Sequence, residues 1–314
     1  MDAVQRMYNR LEAGSATLDC SGYLASLDPF SRAQLFTGLL YERLQRKHDY
    51  ILDTYRTGGE YWDQVLFVLL FRFMGAPSNT RAFERLVKMI SYPVIHRYLS
   101  EPQRLEALLI GGSGLLDLYP NDAHTHETRN EFYVLSRKHN LQKMHSGEWT
   151  TTRILPHNNP VLRLSQAVAI LSQPEGFDIA RILACKTSDD ICRLFMHEAS
   201  EYWLTHFTPG VETSKVDKRL GRSKAEILAI NVVTPLQFTY GSYISSDRLR
   251  DRALNLLDDI NPEDNSKVRR WKDGGFIPRS AFDTQTLIQL ADEYCNKRRC
   301  KECPIARRII NSLE

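Results

Sequence analysis

The sequence predicts an all-α protein, a multi-helix globular bundle with little or no β-structure. Three observations lead there. Apolar residues recur at helical spacing through most of the chain. Helix punctuation is frequent, with Asp28-Pro29 and Glu101-Pro102 as starts and Gly58-Gly59 and Gly75 as stops. Strand signals are scarce: no sustained alternation, and no Asn-Gly or Asp-Gly turn between β-branched runs.

The elements follow in order. A short helix covers about Asp2 to Ala13. A long one runs from Asp28-Pro29 to Gly58-Gly59, with Leu35, Leu39, Leu40, Leu44 and Ile51 on one side and Arg43, Arg46 and Lys47 on another. Tyr61 to Met74 is nearly all apolar and reads as a core helix. Asn79 starts the next through Ile90, and Pro93 restarts the chain. Glu101-Pro102 opens a helix ending in Gly111-Gly112-Ser113-Gly114. That cluster is helix termination rather than a phosphate loop, because no strand precedes it and no Gly-Lys-Ser/Thr follows. Leu115 stands where a nucleophile elbow needs its last glycine. Further helices are expected over Glu127 to His139, Pro174 to Ala184, Ser188 to Phe207, Ala225 to Tyr243 (interrupted by Pro235), Asp247 to Asp259, Lys267 to Asp273 and Ser280 to Cys295. The chain reads as one helical domain over 1–314, with the bend at 146–160 as the only internal boundary.

That bend organises the chain. Pro156 and Pro160 bracket His157, Asn158 and Asn159. Proline fixes φ and disfavours helix in the residue before it, so the segment is an ordered turn. Asn158 or Asn159 can cap the helix that Pro160 begins, whose Leu162, Leu164, Val168, Ile170 and Leu171 cover most of its circumference. Arg153 and Arg163 flank the turn. Two guanidinium forks beside amides can clamp an anion, so Arg153, His157, Asn158 and Arg163 are ligand candidates. Asn231, one turn before Pro235, joins them because proline frees a backbone carbonyl there. The competing structural reading, which outweighs the clamp, has both arginines satisfying buried carbonyls; Arg153→Ala would then destabilise the fold.

Composition narrows the class. Of 314 residues, 42% are hydrophobic and 25% charged, an ordinary globular balance. A net charge of +3 does not demand a nucleic-acid partner. The longest apolar run, Val65 to Phe71, is too short to span a bilayer, and no apolar signal core follows Met1. Six unevenly placed cysteines do not form a disulfide framework and point to a reduced, cytoplasmic compartment.

Two stretches carry chemistry of their own. His197-Glu198-Ala199-Ser200-Glu201 misses the His-Glu-x-x-His zinc motif by its second histidine, leaving two helical donors without a third. Tyr294 to Pro304 holds Cys295, Cys300 and Cys303 in a C-x4-C-x2-C arrangement, which brings soft ligands together for zinc or an iron-sulfur cluster. A fourth ligand is needed, and Cys20 is the candidate. The loop resembles the iron-sulfur loop of helix-hairpin-helix DNA glycosylases but lacks its downstream fourth cysteine. The bland alternative is three free thiols beneath a helix end. Lys297, Arg298, Arg299 and Lys301, with Arg307 and Arg308, form a candidate phosphate-backbone footprint; the alternative is a solvated helix end.

Several stretches together carry a family resemblance: Glu42-Arg43-Leu44 before Lys47, Leu105 to Leu109 with the following glycines, Glu131-Phe132, Trp149 with Arg153, the Pro156 to Arg163 turn, Ile230-Asn231 with Pro235, Tyr240-Gly241 and the terminal cysteines. The chain resembles an uncharacterised bacterial family, domain-of-unknown-function family 2851. It departs from that pattern at Leu155 and His157-Asn158-Asn159. The resemblance implies the helical C-terminal part of longer members, whose β-containing N-terminal region suggests a nuclease-like fold. The expected function is a non-catalytic helical binding or scaffold module with a nucleic-acid or protein partner, no membrane association, and metal stabilisation through the cysteines. The alternative is a nucleic-acid-processing enzyme, or the accessory domain of one whose catalytic region is absent here. No compact set of acid, base and nucleophile residues stands out in the sequence.

Overall fold

A computed structural model describes residues 3–15 and 17–312. It is a multi-helix all-α fold with one two-stranded hairpin among the described residues. The chain gathers into two compact units, Met1–Tyr50 with Phe238–Glu314, and Ile51–Gln237. The 146–160 bend lies inside the second.

The first unit contains α1 (Ala3–Glu12), α2 (Cys20–Ser26) and most of α3 (Pro29–Thr57). The second unit begins with the end of α3. It holds α4 (Trp62–Met74), α5 (Thr80–Ile90), α6 (Tyr92–His96), α7 (Pro102–Glu106), α8 (Ala123–His139), α9 (Pro160–Leu171), α10 (Ile179–Ala184), α11 (Ser188–Phe195), α12 (Glu201–Leu204), the strands β1 (His206–Thr208) and β2 (Val211–Glu212), and α13 (Arg222–Leu228). The chain returns to the first unit within α14 (Thr234–Tyr243) and continues through α15 (Asp247–Asp259), α16 (Ser266–Asp273), α17 (Ala281–Gln289) and α18 (Pro304–Asn311).

In the first unit α17 packs on α15 and α16, and α18 packs on α2. Leu35, Phe36 and Leu39 of α3 meet Trp271, Phe276, Leu287 and Ile305 in one apolar cluster. The polar side of α3 is held differently. Arg43 donates to Gln285 Oε1 at 2.7 Å, Gln289 donates to Glu42 at 3.0 Å, and the Tyr294 hydroxyl donates to Glu42 at 2.8 Å. Burial, with the neighbouring charges of Arg43 and Arg46, holds the Lys47 ammonium well below the ordinary lysine range.

The second unit is built on α4 and α9. Along α9 all residues are buried except Ala169, as its nearly continuous apolar sequence predicts. Asn159 caps it, accepting from the Val161 N–H at 3.0 Å. The helix packs on α4, α7 and β1.

Several segments depart from the helical spans read in the sequence; the helix expected from Pro174 begins only at Ile179, where the Asp178 side chain caps it. The helix expected from Glu127 starts at Ala123, because Asp122 and Thr125 form a reciprocal capping box. The helix expected to run from Ser188 to Phe207 stops at Phe195, and Met196–Ser200 is not helical. His197 and Glu201 therefore share no helix face. The backbone beyond is satisfied across the hairpin instead: the N–H groups of Thr213 and Val216 donate to the carbonyls of Thr205 and Leu204 at 2.7 and 3.0 Å. Its tight turn is Pro209-Gly210, with Gly210 at φ +68°. Pro235, which can donate no helical bond, is accommodated by a π-helical turn over Ala229–Val233.

Candidate functional site

The bend forms one wall of a cavity of about 190 Å³, lined by residues 74–79 and Phe83 on one side and by Arg153, Ile154, Leu155, Asn158 and Arg163 on the other. The corner itself is rigidly tied. The Asn79 side chain exchanges two hydrogen bonds with the Thr150 backbone, at 2.8 and 2.9 Å. The Trp149 indole donates to the Ser113 carbonyl at 2.8 Å.

Arg163, on the first turn of α9, is 8% exposed. Its guanidinium donates to Asn158 Oδ1 at 2.7 Å and to Gln166 Oε1 at 2.9 Å. Both acceptors are neutral. Burial alone lowers its pKa to about 10. Lys224, on the first turn of α13, is 9% exposed and sends its ammonium to the carbonyls of Phe73 and Ala76 at 2.6 and 3.0 Å, at the end of α4. Burial, then the charge of Arg163, pushes its pKa down to about 7. No carboxylate pairs with Arg163 or Lys224 among the described residues.

A third buried cation adjoins them. Gln166 donates to the Lys218 carbonyl at 2.8 Å, and the fully buried Lys218 ammonium donates to the Leu204 carbonyl at 2.9 Å, standing 4.0 Å from the centre of the Phe207 ring. His157 meets the same ring edge-on at 5.0 Å.

The residues singled out in the sequence thus part company. Arg153, Asn158 and Arg163 meet at the cavity. His157 is exposed against Phe207 rather than lining it. Asn231 sits in the π-helical turn and donates to the Ile227 carbonyl at 2.9 Å, also outside the lining. Of the two arginines expected to satisfy buried carbonyls, Arg163 is buried but bonds side-chain amides instead. Arg153 is exposed, at φ +57°, and makes no hydrogen bond or ion pair with a described residue. Lys224 was not singled out at all; a single lysine near a helix start gives no periodic signal, and only the fold reveals its burial.

A second cavity in the same unit, about 970 Å³, was equally hidden. Buried Glu106 accepts from His124 Nε2 at 2.8 Å and from the Trp203 indole at 2.9 Å. His124 stacks on Tyr202 at 3.8 Å, and the Tyr202 hydroxyl donates to Asp122 at 2.6 Å. Glu127, Glu131, Glu198 and Glu201 also line this cavity, against Arg104.

In the first unit, Lys297 pairs with Glu293 at 2.6 Å and Arg299 with Glu302, which neutralises half of the basic quartet. The Arg298 guanidinium lies against Gly14, and Lys301 is exposed. Cys20, Cys300 and Cys303 belong to one apolar cluster. No three His, Cys, Asp or Glu side chains among the described residues are placed to hold a single metal ion.

A family model described as "Protein of unknown function (DUF2851)" matches residues 1–266, so the cysteines at 295–303 lie beyond the matched range. No curated protein and no solved structure matches the chain.

Proposed function

The chain belongs to the DUF2851 family, and from its geometry we propose a non-catalytic helical binding module that takes an anionic group at the bend. One observation carries this reading. Arg163 and Lys224 are buried cations whose partners are all neutral, and Arg163 opens, beside the uncommitted Arg153, onto a cavity. Neutral acceptors satisfy hydrogen bonds without compensating charge, and an uncompensated buried cation is costly. An oxyanion supplies the missing charge, and a guanidinium offers it a forked pair of donors. The cavity is below the roughly 300 Å³ at which sites for whole ligands begin, so it suits a phosphate or carboxylate group projecting from a larger partner. A nucleic acid presents the former and an acidic protein segment the latter.

The test is thermal unfolding and calorimetry at pH 6.5 with phosphate or acetate titrated against chloride at constant ionic strength. Phosphate or acetate should raise the melting temperature of the wild type, since a ligand that binds only the folded state stabilises it by mass action. Arg153→Ala should weaken the effect without lowering the starting stability, and Arg163→Gln should abolish it. A wild-type response no larger than that of the two variants refutes the proposal.

A second reading, an enzyme, is favoured by the His124–Glu106 pair. Glu106 fixes Nε2 of His124, leaving Nδ1 without a hydrogen bond to any described residue at the edge of the larger cavity. That arrangement suits a general base. The surrounding carboxylates favour a neutral or cationic substrate over a phosphate. Turnover lost in His124→Ala while anion binding persists would support this reading.

A further inference from the structure

We propose that Cys20, Cys295, Cys300 and Cys303 together ligate an iron-sulfur cluster in the first unit. The four thiols come from two remote places in the sequence, Cys20 and the stretch 295–303. Cys20 is the first residue of α2, Cys303 caps α18, and those two helices pack on each other. The Cys303 N–H donates to the Cys300 carbonyl at 3.1 Å, which closes the C-x2-C turn and turns both residues into the same apolar cluster that holds Cys20. Cys295 ends a π-helical turn over Leu290–Cys295, and the chain folds back from it through the Arg299 N–H to Tyr294 carbonyl bond at 2.9 Å. The remaining cysteines, Cys185 and Cys192, lie in the other unit. Four of the six cysteines therefore lie in the first unit, three of them in one apolar cluster, and none forms a disulfide.

The Cys20 and Cys295 thiols stand near enough to each other and to Cys300 and Cys303 for their charges to interact. Arg270 places a positive charge near Cys295.

A cluster brings its own iron and sulfide atoms, so its thiolates stand farther apart than the four ligands of a single zinc ion.

The experiment is anaerobic purification of the full chain, with iron, acid-labile sulfide and zinc assayed beside the visible spectrum. A brown protein with about four iron and four sulfide per chain is expected. Cys295→Ser, at an exposed position, should lose the iron and colour while keeping its helical circular dichroism; Cys20→Ser should lose them too. Cys192→Ser should retain both. Colourless protein with stoichiometric zinc, protein with neither metal, or a Cys20→Ser variant with full iron content would each overturn the proposal.

Discussion

Lys224 makes stability rise with pH, the same sign as ordinary acid unfolding but shifted into the neutral and alkaline range. Burial brings its folded-state pKa down to about 7 from the ordinary lysine value of 10.5. Above pH 7 the unfolded chain therefore holds a proton that the folded chain has released, and stability must rise with pH until the unfolded lysine also titrates. The full shift of 3.5 units, 10.5 minus 7, corresponds to about 5 kcal/mol at 1.36 kcal/mol per unit. Most of that range overlaps cysteine titration, so the useful window is pH 7 to 8.5, where the same linkage gives a gain of about 1.5 kcal/mol. Urea unfolding across that window, at constant ionic strength and without phosphate, reads it directly. Lys224→Met should flatten the curve while lowering overall stability by about 1–3 kcal/mol, because the carbonyls of Phe73 and Ala76 lose their donor. Bound phosphate should also flatten it, since an anion beside Arg163 favours the charged lysine. A wild-type curve that is flat or falls between pH 7 and 8.5, or a Lys224→Met curve with the same slope, refutes the argument.

Three further outcomes are expected. Glu106→Ala should lower stability by about 1–3 kcal/mol in denaturant unfolding, because the buried Trp203 indole is left without an acceptor; Glu106→Gln, which keeps one, should cost less. Gly114→Ala should destabilise strongly or prevent folding, since Gly114 sits at φ +73° and an added Cβ would lie 2.1 Å from the Met144 carbonyl oxygen; a melting temperature near wild type would contradict this. If the basic tail contacts nucleic acid, Arg298→Glu with Lys301→Glu should reduce the salt dependence of DNA binding, whereas reversal of the paired Lys297 and Arg299 should matter less.

What the sequence discloses depends on whether the signal is local. The α9 span, its asparagine cap and its burial follow from Pro160 and an apolar run, both readable residue by residue. The hairpin at β1 and β2 was not readable, because its Pro209-Gly210 turn is flanked by too few alternating residues to outweigh helical periodicity. Arg163 could be singled out beside the proline turn. Lys224 could not, since its burial arises from packing against the end of a helix some 150 positions earlier (Phe73, 151 apart). The His124–Glu106–Trp203 group is the extreme case: Glu106 and Trp203 are 97 positions apart, and no motif links them.

The two cavities of the second unit set a limit on what any one ligand can do. One is walled by Arg153 and Arg163 with Lys224 behind it; the other by Glu106, Glu127, Glu131, Glu198 and Glu201 against Arg104 and His124. A phosphate drawn to the first is repelled from the second, whose lining carboxylates carry charge of the same sign. Phosphate binding and His124-dependent chemistry are therefore separable properties. Arg163→Gln should remove the former and spare the latter, and His124→Ala the reverse. A variant of either residue that removed both would show that the second unit responds as a whole, and the assignment of anion recognition to the bend alone would then fail.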